Sequence, residues 1–332
     1  MGTIKSENCN LATMERDNRR RLVLLQTLHT RDFDELAQAL PQWDLRFRQL
    51  GRGPFRGHLQ FLQLGGIQIF QLGVNRMVHI EGWPPPDSFG CFPVLAENEN
   101  AVWSGRHLKA GQVRLGKPGQ VADHLTAADH YQLVALALDG DLVRQEVPVL
   151  GGFDPDKRLA GKEVVTTSLA YCRTLESHLV GLLEMAQVSP DHLAQSGRWI
   201  EQECLRHFAG LLARPNDDCT ACQPPHRARV VRRAEDYMQA HLGNPLSVLE
   251  LCRELGVSER TLHYAFQEFR GLSPMAYFKA SRLNAVRQEL KAAAGTTTVG
   301  EIAQRWGFRH TGEFAADYRR LFGELPSQTF NA

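Results

Sequence analysis

The chain has 332 residues, with 38 Lys plus Arg against 37 Asp plus Glu, a net charge of +1, and 43% hydrophobic residues. That balance excludes a broad positive field for indiscriminate nucleic-acid binding, and no apolar run approaches the ~18 residues of a membrane span. Seven scattered cysteines and an N-terminus without a signal-peptide pattern predict reduced thiols in a cytoplasmic protein, long enough for two or three units with cores of their own.

From about Pro54 to Asp139 the pattern is short and alternating. In HLQFLQLGGIQIFQLG, Leu59 and Phe61 answer Ile67 and Ile69 across Gly65 and Gly66, which predicts a hairpin. HYQLVALALD, His130 to Asp139, reads as a strand buried on both faces. Pro and Gly residues between them cut the chain into strand lengths, and an antiparallel barrel or sandwich is the expected outcome.

Two amphipathic helices follow, at about 162–186 and 190–212. Leu169, Leu175, Leu179, Leu182 and Leu183 mark the first apolar face; Ile200, Cys204, Phe208 and Leu211 mark the second. RPNDDCTACQPPHR, from Arg214, reads as a linker. Its Cys219, Cys222 and His226 stand at metal-like spacing, but one CxxC without a second pair is weak, so no metal or other cofactor is expected. The expected units are 1–150, a β-rich domain; 151–213, a helical hairpin; 214–226, the linker; and 227–332, an all-α domain.

The last unit repeats itself. Leu251, Cys252, Leu255, Gly256 and Val257 recur as Ile302, Ala303, Trp306, Gly307 and Phe308. After a one-residue insertion, Leu262, Phe266, Phe269, Gly271 and Pro274 recur as Phe314, Tyr318, Leu321, Gly323 and Pro326. Each copy reads as helix, glycine turn, helix, and two such units point to double-stranded DNA touched at neighbouring places. Behind Ser258, an N-cap, Leu262, Ala265, Phe266 and Phe269 share one helix face, whereas Arg260, His263, Tyr264 and Gln267 share the opposite one. Arg, His and Gln are residue types that hydrogen-bond base edges. Between the copies, Ser273 and Pro274 open a rod of about 18 residues, roughly 27 Å, near the ~34 Å spacing of successive major-groove faces. Tyr277, Phe278, Leu283, Val286 and Leu290 form its buried stripe; Lys279, Arg282, Arg287 and Lys291 are left for phosphates or solvent. Residues 226–332 hold 15 basic and 11 acidic residues, so the positive charge sits with the repeat.

SERTLHYAFQEFRGLSPMAYFKASRLNAVRQEL and VGEIAQRWGFRHTGEFAADYRRLFGELPS resemble the DNA-binding domain of the AraC/XylS family of bacterial transcription regulators, over about residues 226 to 332. Within it, the RLNAVRQEL stretch and the long first half are most similar to regulators of ethanolamine and amine-utilisation operons. The resemblance implies base contacts from Arg260, His263 and Tyr264 in the first unit and from Arg309, His310, Thr311 and Glu313 in the second. It implies backbone contacts from Ser258, Gln267, Lys279, Arg319 and Arg320. Gly312 and Ala316 depart from the family pattern and predict weaker reading by the second unit.

For the whole chain the resemblance implies an α+β fold. A cupin-like antiparallel β-barrel would bind a small effector, the helical hairpin would pair two protomers in a homodimer, and the bound dimer would recruit RNA polymerase as an activator. An amine effector would suit an aromatic face with a carboxylate, for which Glu81, Trp83 and Trp103 are the candidates and Phe89, Asp87 and His107 lie near. Two other classes compete: a cupin-type metal-dependent enzyme fused to a DNA-binding domain, and a repressor or architectural protein without effector. No HExxH, GxSxG or phosphate-binding glycine loop supports an enzyme, and no catalytic residue or membrane partner is expected.

Overall fold

Alternating apolar residues on either side of Gly65 and Gly66 form a hairpin between β3 (Gly57–Leu64) and β4 (Ile67–Val74), with Phe61 opposite Phe70 and Leu64 opposite Ile67. The computed structural model describes residues 23–40, 42–99, 101–126, 130–214, 225–293 and 297–331. The remaining strands are β1 (Val23–Thr30), β2 (Asp44–Gln49), β5 (Val78–Trp83), β6 (Ser88–Pro93), β7 (Val102–Trp103), β8 (Arg106–His107), β9 (Gln112–Gly116), β10 (Ala122–Leu125), β11 (Tyr131–Asp139) and β12 (Val164–Thr166). They pair antiparallel in two sheets, a large one of order β1-β3-β4-β11-β6-β9-β12 and a small one of order β2-β5-β10-β7-β8. Among the described residues there is no closed barrel, so that expectation is corrected in favour of two sheets.

Period-two alternation divides the large sheet between two cores. Leu59, Phe61, Phe70, Leu72, Leu133 and Ala135 join Phe47 and Ile80 of the small sheet in one cluster. Leu62, Leu64, Ile67, Ile69, Val134 and Leu136 join the second cluster, under helices. The predicted strand at 130–139 is central β11, buried on both faces.

The helices are α1 (Phe33–Gln38), α2 (Gly140–Gly151), α3 (Pro155–Leu159), α4 (Leu169–Val188), α5 (Pro190–Gln195), α6 (Gly197–Ala213), α7 (His226–Ala240), α8 (Val248–Leu255), α9 (Glu259–Arg270), α10 (Pro274–Ala292), α11 (Val299–Arg305), α12 (Thr311–Phe322) and α13 (Pro326–Phe330). Helix α4 starts later than the periodicity predicts, because β-branched Val164 and Val165 pair with β9 and Ser168 caps the helix at Tyr171. The apolar stripes of α4 and α6 are spent on the large sheet: Leu175, Leu179, Leu183, Cys204, Phe208 and Leu211 all lie in its outer core. Exposed apolar residues left on this layer are Met185, Val188 and Trp199. No helix among the described residues is long and apolar enough to cross a membrane.

The two copies of the repeat are built alike. Each opens with a capping box, Ser247 with Glu250 and Thr298 with Glu301, and the glycines Gly256, Gly271, Gly307 and Gly323 are all left-handed. Gly307 could not be replaced without crowding: a Cβ would stand 2.0 Å from the Arg282 guanidinium. Leu262, Phe266, Phe269, Tyr277, Phe314 and Tyr318 belong to the same apolar cluster as the interior of the two sheets, so the halves of the molecule share a core.

Candidate nucleic-acid interface and ligand cavities

Helix α9 of the first unit keeps its apolar residues inside and a polar face in solvent. Leu262, Ala265 and Phe266 are fully buried, whereas Arg260, Tyr264 and Gln267 are exposed. The Tyr264 ring, 51% exposed, lies between the guanidinium groups of Arg260 at 5.4 Å and Arg227 at 5.9 Å. His263 is half-exposed, its Nε2 3.8 Å from Glu259. The Ser258 hydroxyl accepts from the Thr261 N–H at 3.1 Å, so it is engaged as a helix cap. Sequence reasoning passed over Arg227, whose signal was its place one helix upstream of the repeat.

In the second unit, α12 begins at an exposed stretch containing Arg309, His310, Thr311, Gly312 and Glu313. His310 makes no side-chain cap bond, which leaves the first N–H groups of the helix open at its positive end. The backbone-contact candidates divide. Asp317 accepts from Lys279 at 2.9 Å and from Arg320 at 2.8 Å, whereas exposed Arg319 has no partner among the described residues. Asp317 is therefore a built-in competitor for two of the predicted phosphate contacts. Helix α10, 19 residues or about 28 Å long, carries both units.

Contrary to the expectation that its outer cations are left for phosphates or solvent, Arg282, Arg287 and Lys291 are engaged within the protein, as Lys279 is with Asp317. Arg287 Nη1 donates to Asp32 and Asp34 at 3.0 Å each, Lys291 Nζ reaches the same carboxylates at 2.5 and 3.0 Å, and Arg282 Nε caps the Trp306 carbonyl at 2.6 Å. Burial alone would raise the Asp32 pKa, yet Arg287 and Lys291 hold it below the usual carboxylate range. These contacts join α10 to the segment entering α1.

More of the seam is polar. The side chain of Asn284 accepts from the Gln49 N–H at 3.0 Å and donates to its carbonyl at 2.9 Å, pairing with edge strand β2 as a neighbouring strand would. Gln49 Nε2 in turn donates to the Leu321 carbonyl at 2.7 Å. Buried Arg270, at the end of α9, forks onto Glu235 at 2.5 and 2.8 Å and stands 3.5 Å from Asp123. Asp123 contacts His79 Nε2 at 2.9 Å, and His79 Nδ1 lies 3.1 Å from the Tyr277 hydroxyl. His107 Nε2 is 3.0 Å from the Glu268 carbonyl.

The effector candidates are not brought together. Register places Glu81 opposite Asp123 and Trp103 opposite His124, so Glu81 and Trp103 point to opposite faces of the small sheet. Glu81 pairs with Arg48 on the helix-facing side. Trp83 is 49% exposed at the end of β5. Trp103 stacks on His124 at 3.6 Å and lines a cavity of about 60 Å³ between the sheets with Trp43, Phe89, Phe92 and Asp123. Beside it, His124 Nε2 and the Tyr131 hydroxyl are buried without partners, and burial drives the His124 pKa down to about 3, so the ring is neutral. No group of three or more His, Cys, Asp or Glu among the described residues could hold a metal; Cys219 and Cys222 lie outside them.

A family model described as a helix-turn-helix domain matches residues 251–332. A probable thc operon regulatory protein of Rhodococcus erythropolis is 42% identical over 130 residues, 38% of this chain and 39% of that protein. The XylDLEGF operon transcriptional activator 3 of Pseudomonas putida is 37% identical over 107 residues, 32% of this chain and 31% of that protein. A solved structure, a probable AraC family transcriptional regulator from Rhodopseudomonas palustris CGA009, is 41% identical, covering 31% of this chain and 95% of that one, with a TM-score of 0.30. The match thus spans well under half the length of these curated relatives.

Proposed function

The C-terminal part of this chain belongs to the AraC family of helix-turn-helix domains, and from that premise we propose that the protein is a sequence-specific transcription regulator, an effector-responsive activator of a catabolic operon. One observation carries the reading: the two repeated units present exposed polar faces, Arg260 with Tyr264 and Arg309 to Glu313, while their apolar faces are consumed in a core. Arg260 reads a guanine edge and His263 and Tyr264 contact neighbouring bases, with Gln267 and Ser258 near the backbone. Arg309, His310, Thr311 and Glu313 enter the adjacent groove, where the open N-terminus of α12 suits a phosphate. Arg319 and, once released from Asp317, Lys279 and Arg320 hold backbone.

The effector cavity is the one between the sheets. The Trp43, Phe92 and Trp103 walls suit the face of a small amine. Val188, Met185 and Trp199, the apolar residues that α4 and α6 leave exposed, serve a homodimer that recruits RNA polymerase. Residues 1–150 form the sensor, 151–213 the pairing layer and 227–332 the reader; most of the linker expected at 214–226 lies outside the described residues. The test is capture of fragmented genomic DNA by the purified chain, followed by sequencing. Sharp enrichment upstream of one operon is expected; retention with no preferred fragment, with and without amines, would sink the reading.

A further inference from the structure

A second cleft, of about 170 Å³, opens where the small sheet meets the helices. We infer that it binds a small zwitterion of the α-amino-acid class, held between the two halves of the molecule. Its walls come from three directions: Arg46 and Arg48 on β2 with Glu81 on β5, Asp236 and Gln239 on α7, and Ser281 on α10. Several lining groups are already satisfied. Arg48 pairs with Glu81 and donates to Gln239 at 3.2 Å, Glu235 is held by Arg270, and Asn284 is occupied by the β2 backbone.

What remains has a specific composition. The Arg46 guanidinium and the Asp236 carboxylate have no partner among the described residues. The Ser281 hydroxyl, in a residue only 3% exposed, and the buried Arg48 Nε also lack one. Buried polar atoms are costly unless hydrogen-bonded, so the Ser281 hydroxyl and Arg48 Nε mark where a ligand would be stabilised, with the exposed charges of Arg46 and Asp236 beside them. A simple anion would answer Arg46 and leave Asp236 unmatched; a simple cation would do the reverse, and an apolar molecule would serve neither. A carboxylate and an ammonium a few bonds apart answer both charges at once. The volume, below the ~300 Å³ at which drug-sized pockets begin, limits the occupant to a small metabolite.

The site exists only while β2 and β5 face α7 and α10, so a ligand there stabilises the docked arrangement by mass action. Under the DNA-binding reading, on which this consequence alone rests, the ligand then shifts the population of reader orientations that DNA meets. Binding itself does not depend on that reading. The experiment is calorimetric titration of the full chain with each of the common L-α-amino acids, and with propionate and propylamine as single-charge probes. We expect saturable binding of one or more amino acids, weakened about tenfold or more by Arg46→Ala and by Asp236→Ala, two exposed positions that the fold tolerates. No binding by any amino acid would overturn the site. Binding unaffected by both substitutions would move the ligand elsewhere, and equal affinity for propionate or propylamine would overturn the zwitterion class. DNA affinity with and without the amino acid is measured separately, so a protein that binds it but no DNA would refute the regulator and leave the cleft standing.

Discussion

Arg260 and Phe266 sit on one helix and do opposite work. Replacing exposed Arg260 by Ala should cost about 1–3 kcal/mol of binding to a cognate site and relax the preference at one base pair, read by mobility shift across single-base variants of the site. Unchanged specificity would take Arg260 off the reading face. Phe266 is fully buried, and its change to Ala should remove roughly 3–5 kcal/mol of folding stability in denaturant titration. Asp317 gives a prediction of the other sign: Asp317→Asn frees Lys279 and Arg320, and DNA affinity should rise with a steeper dependence on salt. A flat response would mean that those cations never meet phosphate.

Among the elements, α10 is the one that serves two masters. One face carries the repeat cores, and Asn284, Arg287 and Lys291 on another bind the β-rich half. Arg287, with its side chain 8% exposed, is shared by Asp32 and Asp34, so Arg287→Ala leaves two carboxylates with Lys291 alone. The expected loss is about 3 kcal/mol of stability, seen as a lowered thermal midpoint; no change would show that the pairs merely break even with water. The turns inside the repeat are equally testable. Gly256→Ala should cost about 1–2 kcal/mol for its left-handed backbone, and Gly307→Ala more, since its Cβ also displaces the Arg282 guanidinium.

At the scale of the whole molecule, the shared core and the polar seam make the halves one cooperative body. Calorimetry of the intact chain should show a single unfolding transition, and two separated transitions would contradict the continuous cluster. Acid should act on the seam. Burial would raise the Asp32 and Asp123 pKa values, but Arg287 and Lys291 hold Asp32 low, and His79 and Arg270 hold Asp123 low. A depressed folded pKa contributes stability above the unfolded value of about 4 and loses it as pH falls through the folded value. The thermal midpoint should therefore fall steeply below about pH 4, and Asp32→Asn should flatten that fall while lowering the midpoint at neutral pH.

Local pattern by itself determined the repeat, its glycine turns, the division of α9 into an apolar and a polar face and the hairpin at Gly65 and Gly66, because 3.6- and 2-residue periods and left-handed glycines are properties of neighbouring residues. It did not reveal β1 and β2, which precede the recognised strands, or the layer that consumes α4 and α6. Nor could it reveal what becomes of a polar face once something packs on it. Arg48, His79, Glu81 and Asp123 alternate with apolar residues as a solvent face does, yet the helices pack on them. Asp32 finds Arg287 across 255 positions. The partners of a charge are set by which surfaces meet, and only the tertiary structure decided that Glu81 and Trp103 would serve two different cavities.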